Sequence, residues 1–224
     1  TTFETSSTQA AATSGDYYLN VYQTGSSLPN SATQFSIAYG EKGGLGSTPY
    51  NTNVAGKSPT STIYGQYRNL VLGDEEKDFL FGGVNSTKGI YAITVDRARY
   101  KEKLMPGTFT MTIAAGSQTL VLTDNSNQVS TVSFNDAGRV YQIISGSSGV
   151  AHDAGTGFSS TNSYVASFGL FLPDIGVVLL NGQALDNHLP DLALLTGSAE
   201  TNGVNNQGLF NRITNFSLNS EETV

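Results

Sequence analysis

Short apolar segments that alternate with polar residues recur along this chain and end in Gly, Asn or Asp, and this pattern constrains the fold most. In GIYAITV, for example, Tyr91, Ile93 and Val95 fall on one face of an extended chain. Their close spacing predicts a mostly β fold, an antiparallel sandwich or barrel-like domain with one or two short helices. The segments are DYYLNVYQT, QFSIAYG, FLFGG, GIYAITV, FTMTIAA, QTLVLTD, VSTVSF and RVYQIIS.

The composition excludes two other classes of protein. The 224 residues include 25 Ser, 25 Thr, 18 Asn and 25 Gly, and only 13% are charged. Helical bundles and coiled coils need far more Ala, Glu, Lys and Leu than such a chain contains. The 11 Tyr and 11 Phe supply apolar area that intrinsically disordered chains lack. We therefore expect a packed core built from strands and turns.

One segment carries the signals of a helix between residues 58 and 73. Ser58 suits the N-cap, Pro59 suits the first turn, and Gly73 follows the last apolar residue. Helical spacing predicts that one stripe of this helix is buried against a sheet. The stripe consists of Ile63, Tyr67, Leu70 and Val71, with Tyr64 beside it.

The chain divides into three parts by composition. Residues 1–15 hold Phe3 as their only large apolar side chain and predict an extended arm that needs another chain to become ordered. Residues 16–200 are predicted as the mostly β domain, with a hairpin turn at Pro173 and Asp174 and a short helix after Pro190. Residues 201–224 are expected to form a C-terminal tail that continues further or contacts a neighbour.

Several kinds of chemistry are excluded by residues that are absent or scarce. Without cysteine, the chain has no disulfide, no thiolate nucleophile and no cysteine-based metal site. Two histidines, His152 and His188, are too few for a multi-histidine site within one chain. The net charge of −7 disfavours a general nucleic-acid surface, and no apolar run approaches a membrane span. We therefore predict no enzymatic activity, cofactor or metal, and no nucleic-acid or membrane partner.

An acidic cluster follows the predicted helix. It consists of Asp74, Glu75, Glu76 and Asp78. Such acids could bind a cation or, as paired carboxylates together with Asp124 or Asp136, cleave a glycoside. Adjacent acids in a turn at the exit of a helix are more often simply solvated. The cluster is also a candidate contact for a cationic surface of another subunit.

A basic strip holds four of the 11 basic residues. It consists of Arg97, Arg99, Lys101 and Lys103. In an extended segment these odd-numbered positions share one face, which could meet the acidic cluster of a neighbouring subunit. The alternative is a solvated strand end that pairs locally with Asp96 and Glu102.

The order of the segments resembles a known protein family. The blocks are GDYYLNVY, FSIAYG, SPTSTIYGQYRNLVLG, FLFGGV, IYAITVDRARYKEKLMPG, AGRVYQIISGSSGV and FGLFLPDIGVVLLNG. Together, from about Asp16 to Gly182, they resemble the virion structural proteins of contractile-tailed marine bacteriophages that infect cyanobacteria. Members of that family continue beyond the block that ends here at Val224 into another β-rich portion.

The resemblance implies a structural component of the virion, without enzymatic activity and without catalytic residues. Its partners would be copies of itself and other virion proteins, and the tail or baseplate is the preferred location. A head or neck decoration protein is an alternative. Another is an adhesin-like β-domain that binds carbohydrate or a receptor, which predicts an exposed tyrosine cluster beside Asn or Asp. A glycosidase is the enzymatic alternative, and it needs a cleft.

Overall fold

Strands dominate the described part of the chain. The computed structural model describes residues 4–5, 18–46, 58–82, 85–152, 167–189 and 204–221. Its strands are β1 (Glu4–Thr5), β2 (Leu19–Tyr22), β3 (Thr33–Glu41), β4 (Phe79–Phe81), β5 (Asn85–Thr87), β6 (Gly89–Val95), β7 (Lys103–Leu104), β8 (Thr110–Ala115), β9 (Gln118–Asp124), β10 (Ser133–Asn135), β11 (Gly138–Ser147), β12 (Val150–Ala151), β13 (Gly169–Leu172), β14 (Val177–Asn181), β15 (Ile213–Ser217) and β16 (Ser220–Glu221). The helices in these ranges are α1 (Pro59–Leu72), α2 (Gly182–His188) and α3 (Val204–Phe210).

One long antiparallel sheet organises the fold. Its order is β1-β2-β3-β6-β14-β13-β11-β9-β8-β15, with β10 and β12 also paired to β11. The sheet curls into a half-barrel, and two short pairs, β4–β5 and β7–β16, lie apart from it. The predicted mostly β, barrel-like fold with few helices is thereby confirmed.

The inner face of the curl holds the larger core. Each strand along the path β2-β3-β6-β14-β13-β11-β9-β8-β15 contributes to it, among them β3 with Ile37 and β14 with Val178, and α2 and α3 add Leu185 and Leu209. Phe35 on β3 stacks on Phe216 of β15 with 4.5 Å between ring centroids, so side chains from distant parts of the sheet meet across the core. No backbone pairing joins β3 and β15 among the described residues.

Helix α1 covers the outer face of the sheet. Ser58 caps it as predicted, in a capping box with Ser61, and the chain turns at Gly73 with a φ of 60°. The helix approaches β3 so closely that a Cβ on Gly40 would lie 2.7 Å from the backbone nitrogen of Tyr64. The absence of a side chain at Gly40 therefore permits the second core, between α1 and the sheet.

The predicted stripe of α1 needs one correction. Ile63, Tyr64, Tyr67 and Val71 are buried, but Leu70 is 44% exposed. The buried sector is centred between Ile63 and Tyr64, because Phe79 of β4 packs edge-on against the Tyr64 ring at 5.4 Å. Leu70 lies just outside that sector.

The hairpin of β13 and β14 has its turn where Pro173 and Asp174 predicted it, and Gly176 ends it with a φ of 69°. Other expectations differ in extent. The predicted strand VSTVSF covers residues 129–134, but the strand in the structure, β10, covers only residues 133–135. The helix expected after Pro190 lies outside the described residues, whereas α2 precedes that proline. Within the described ranges, no helix combines the length and apolar character that a membrane span requires.

Both ends of the sheet come from segments predicted as arm and tail. β15 pairs with β8 and contributes Phe216 to the inner core, so this part of the expected tail belongs to the chain's own sheet. The alternation in ITNFS is obscured by polar residues, which is why the sequence pattern did not show the strand. At the opposite edge, Glu4 and Thr5 pair with β2, while Phe3 lies outside the described residues.

Candidate interaction site

The basic strip lies against the turn of the β13–β14 hairpin. We call this region, where residues 97–104 meet residues 173–176, the hairpin end. The backbone N–H of Leu104 donates to the carbonyl of Pro173 at 3.0 Å. The Tyr100 hydroxyl lies 2.5 Å from the position that a Cβ on Gly176 would occupy. The segment that carries the strip is therefore fixed by the fold.

The strip is not the extended segment that the sequence predicted. Arg97–Arg99 form a 3-10 helix, capped by Asp96, whose Oδ1 accepts the backbone N–H of Ala98 at 2.8 Å. A helix with three residues per turn ends the alternation of β6, so odd-numbered positions no longer share a face. The aspartate cap directly after Val95 is the sequence signal that could have shown this.

Two cations of the strip are bound within the chain. Arg97 donates from Nη1 to the carbonyl of Tyr100 at 2.6 Å, and its guanidinium lies 4.6 Å from the centre of the Tyr100 ring. Burial raises the pKa of the Tyr100 hydroxyl, and the Arg97 charge opposes this. Lys103 Nζ lies 3.5 Å from Glu221 Oε1. These two side chains therefore have structural partners already.

Arg97, Arg99 and Lys101 are the exposed cations of the strip, and of these Arg97 is bound to Tyr100. Among the described residues, the Arg99 side chain has no hydrogen-bond or ion-pair partner, whereas its backbone N–H donates to the carbonyl of Asp96 at 2.8 Å. The 3-10 helix and its cap hold the backbone of Arg99, so its exposed side chain starts from a defined place on the surface. Arg99 is therefore the best candidate of the four for contact with another molecule.

A charge network that sequence reasoning missed lies beside the strip. Arg139 donates from its backbone N–H to Asp174 Oδ2 at 2.8 Å, and from Nε and Nη2 to Oδ1 at 2.9 and 2.7 Å. Arg139 Nη2 also lies 3.4 Å from Glu221 Oε2. The network joins β11, the hairpin turn and β16, which are far apart in sequence. A turn aspartate is the only signal that the sequence offers for it.

Burial alone would raise the pKa of Asp174. The hydrogen bonds and positive charge of Arg139 outweigh burial, so the pKa of Asp174 is lowered. The hydrogen bond to Asp174 in turn raises the pKa of Arg139. Both groups are therefore held in their charged forms.

The acidic cluster is partly neutralised within the chain. The backbone N–H of Glu76 donates to Asp74 Oδ1 at 2.8 Å and lowers the pKa of Asp74, while Lys77 Nζ lies 3.5 Å from Oδ2. Lys42 Nζ contacts Asp78 Oδ1 at 2.5 Å. Glu75 and Glu76 are exposed. No cluster of three potential metal ligands is present in the described parts of the chain.

A glycosidase would use Asp124 or Asp136 together with the acidic cluster, and both of these acids lie against backbone atoms. Asp124 is fully buried and accepts the N–H of Gly107 at 2.9 Å and that of Ser126 at 3.1 Å. Asp136 lies against the Cα of Gly73 at the end of α1. Asp124 thus fixes two loops and has no exposed surface.

Most of the described tyrosines lie in the cores. Tyr39 and Tyr91 are packed at 5.0 Å between ring centroids on the inner face, and burial raises the pKa of both hydroxyls. Nearby carboxylates, among them Asp186, raise the pKa values further. In the ranges that the structure covers, only Tyr18 and Tyr22 are partly exposed, and Tyr18 donates to Gln66 at 2.9 Å. No exposed tyrosine cluster of the kind that binds sugars is formed by these residues.

Comparisons with known proteins give no identification. No family model matches the chain, and neither curated proteins nor solved structures give a significant match. Function is therefore inferred from the sequence and from the geometry of the hairpin end.

Proposed function

We propose that this protein is a non-enzymatic building block of a bacteriophage virion, in the tail or baseplate region, assembled with copies of itself and other virion proteins. The order of the sequence blocks supports the virion assignment. The observation that carries the assembly role is the exposed Arg99 side chain, which has no ion-pair partner among the described residues, on a chain with a net charge of −7.

Charge explains why this position matters. Identical copies with a net negative charge repel one another at long range. A cation at one place on the surface opposes this repulsion only in orientations that bring it to an acidic surface. Glu75 and Glu76 are the exposed members of the acidic cluster, whereas Asp74 and Asp78 have lysine partners. Arg99 of one copy is therefore proposed to contact Glu75 or Glu76 of the next. Such contacts fix orientation and association rate more than affinity.

The test is charge reversal at Arg99. Arg99→Glu should reduce the assembled fraction, measured as native mass at fixed concentration, and the loss should grow as salt is lowered, because screening weakens. Lys88→Glu is the matched control, since Lys88 is exposed and the change in net charge is the same. Arg97 is avoided because it also binds Tyr100. Equal assembly of both variants would show that the strip is only a solvated end of the sheet.

The non-enzymatic part of the proposal has its own test. We expect no product when the chain is incubated with panels of glycans and peptidoglycan. Product release that disappears in Glu75→Gln would establish the glycosidase instead. Asp124→Asn is less informative, because it also removes a buried carboxylate that holds two loops. A density map of the virion into which the half-barrel fits would test the location.

A further inference from the structure

The outermost strand of the sheet is very short. β1 contains only Glu4 and Thr5, which lie opposite Tyr22 and Val21 of β2. On its other side β2 pairs with β3, so the N-terminal segment covers the outer edge of β2. An exposed edge readily takes up a strand from another chain, which makes the outer edge of β2 a place where such a strand would add.

The connection from β1 to β2 is much longer than a hairpin needs. Residues 6–18, thirteen positions, separate Thr5 from Leu19, whereas two residues suffice to join antiparallel strands. Fully extended, a chain of that length spans about 40 Å. A compact domain of this size has a diameter on the order of 40 Å. The segment can therefore reach an adjacent copy.

We propose that β1 is exchanged between copies, so that Glu4 and Thr5 of one chain pair with β2 of its neighbour. The inference rests on the proposed assembly, because it requires copies held side by side. Within one chain, closing the long connection costs entropy, and a pairing of two residues offers few hydrogen bonds against that cost. In an assembly, the β2 edge of the neighbour is present at high effective concentration, and the same pairing then links two subunits.

The absence of cysteine allows a direct test. Glu4→Cys and Tyr22→Cys place thiols at directly opposed positions, and Tyr22 is only partly buried. The two single variants, carrying different tags, are co-assembled and oxidised. We expect a disulfide-linked heterodimer on a non-reducing gel. The control mixes Glu4→Cys with Val150→Cys, whose position is exposed but lies on β12, and should give at least tenfold less heterodimer.

The double variant Glu4→Cys/Tyr22→Cys separates the remaining outcomes. Disulfide within single chains, with no heterodimer from the mixed variants, would overturn exchange and leave the pairing inside each copy. No disulfide in either experiment would also overturn it, because β1 would then not lie beside β2. The native mass of the unmodified chain keeps the two proposals apart. An assembled chain with only internal disulfides refutes exchange alone, whereas a monomeric chain refutes the assembly role as well.

Discussion

Gly65 and Gly176 show how surroundings decide the effect of one residue type. Gly65 lies inside α1, and an added Cβ would meet nothing within 4 Å. Gly65→Ala should therefore raise the free energy of unfolding by about 1 kcal/mol, because alanine favours the helix. Gly176 has a φ of 69°, and a Cβ there would meet the Tyr100 ring. Gly176→Ala should lower stability by about 1–3 kcal/mol. Urea unfolding measures both, and a loss at Gly65 as large as that at Gly176 would contradict this reading.

Among the elements, α1 and most strands could be predicted because their signals are local. Ser58, Pro59 and Gly73 mark the helix, and alternation marks the strands. The exposure of Leu70 could not be predicted, because it depends on where β4 packs on the helix. β15 was missed since its apolar residues are separated by polar ones, and its strand character comes from pairing with β8.

The network that joins β11, the hairpin turn and β16 makes stability depend on pH. The pKa of Asp174 is lower in the folded chain than its ordinary value of 3.8. Its carboxylate therefore contributes fully above that value, and the contribution is lost as the pH falls through the folded pKa. Asp174→Asn should reduce stability by about 1 kcal/mol at pH 7, since charged hydrogen bonds are strong but these groups are partly exposed.

Urea unfolding of the isolated chain at pH 7 and at pH 3 tests this. The unmodified chain should lose more stability between the two pH values than Asp174→Asn does. Glu75→Gln, which removes the same charge from an exposed side chain, should behave like the unmodified chain. Parallel losses in all three would show that Arg139 does not stabilise the carboxylate.

For the whole molecule, burial predicts where the fold is most resistant to opening. All five residues of β14 are buried, because the sheet has a core on each face there. β15 has three exposed residues out of five and lies at the end of the sheet. Hydrogen exchange should therefore be slowest in β14 and β6 and faster in β15. Equal protection of β14 and β15 would indicate that the sheet opens only as a unit.

The candidate site was less predictable than the fold, because several of the charged side chains pair with residues that are distant in sequence and are brought close only by the fold. The basic strip and the acidic cluster were found as runs of charge. Which members remain available was not visible, since Arg139 and Asp174 lie 35 positions apart and Lys42 and Asp78 lie 36 apart. Of the eight charged side chains in the two clusters, the structure selects Arg99 as the candidate cation and Glu75 and Glu76 as the candidate acids for contact with another copy.

The stacking of Phe35 on Phe216 bears on how stiff the half-barrel is. In the described residues, β3 and β15 meet across the inner core through aromatic side chains and not through backbone hydrogen bonds. One aromatic pair contributes about 1 kcal/mol and tolerates sliding, whereas strand pairing fixes register. Because α3 also contacts β3, and Phe109 also packs on Phe216, the width of the half-barrel is set by side-chain packing across the core and not by a strand register.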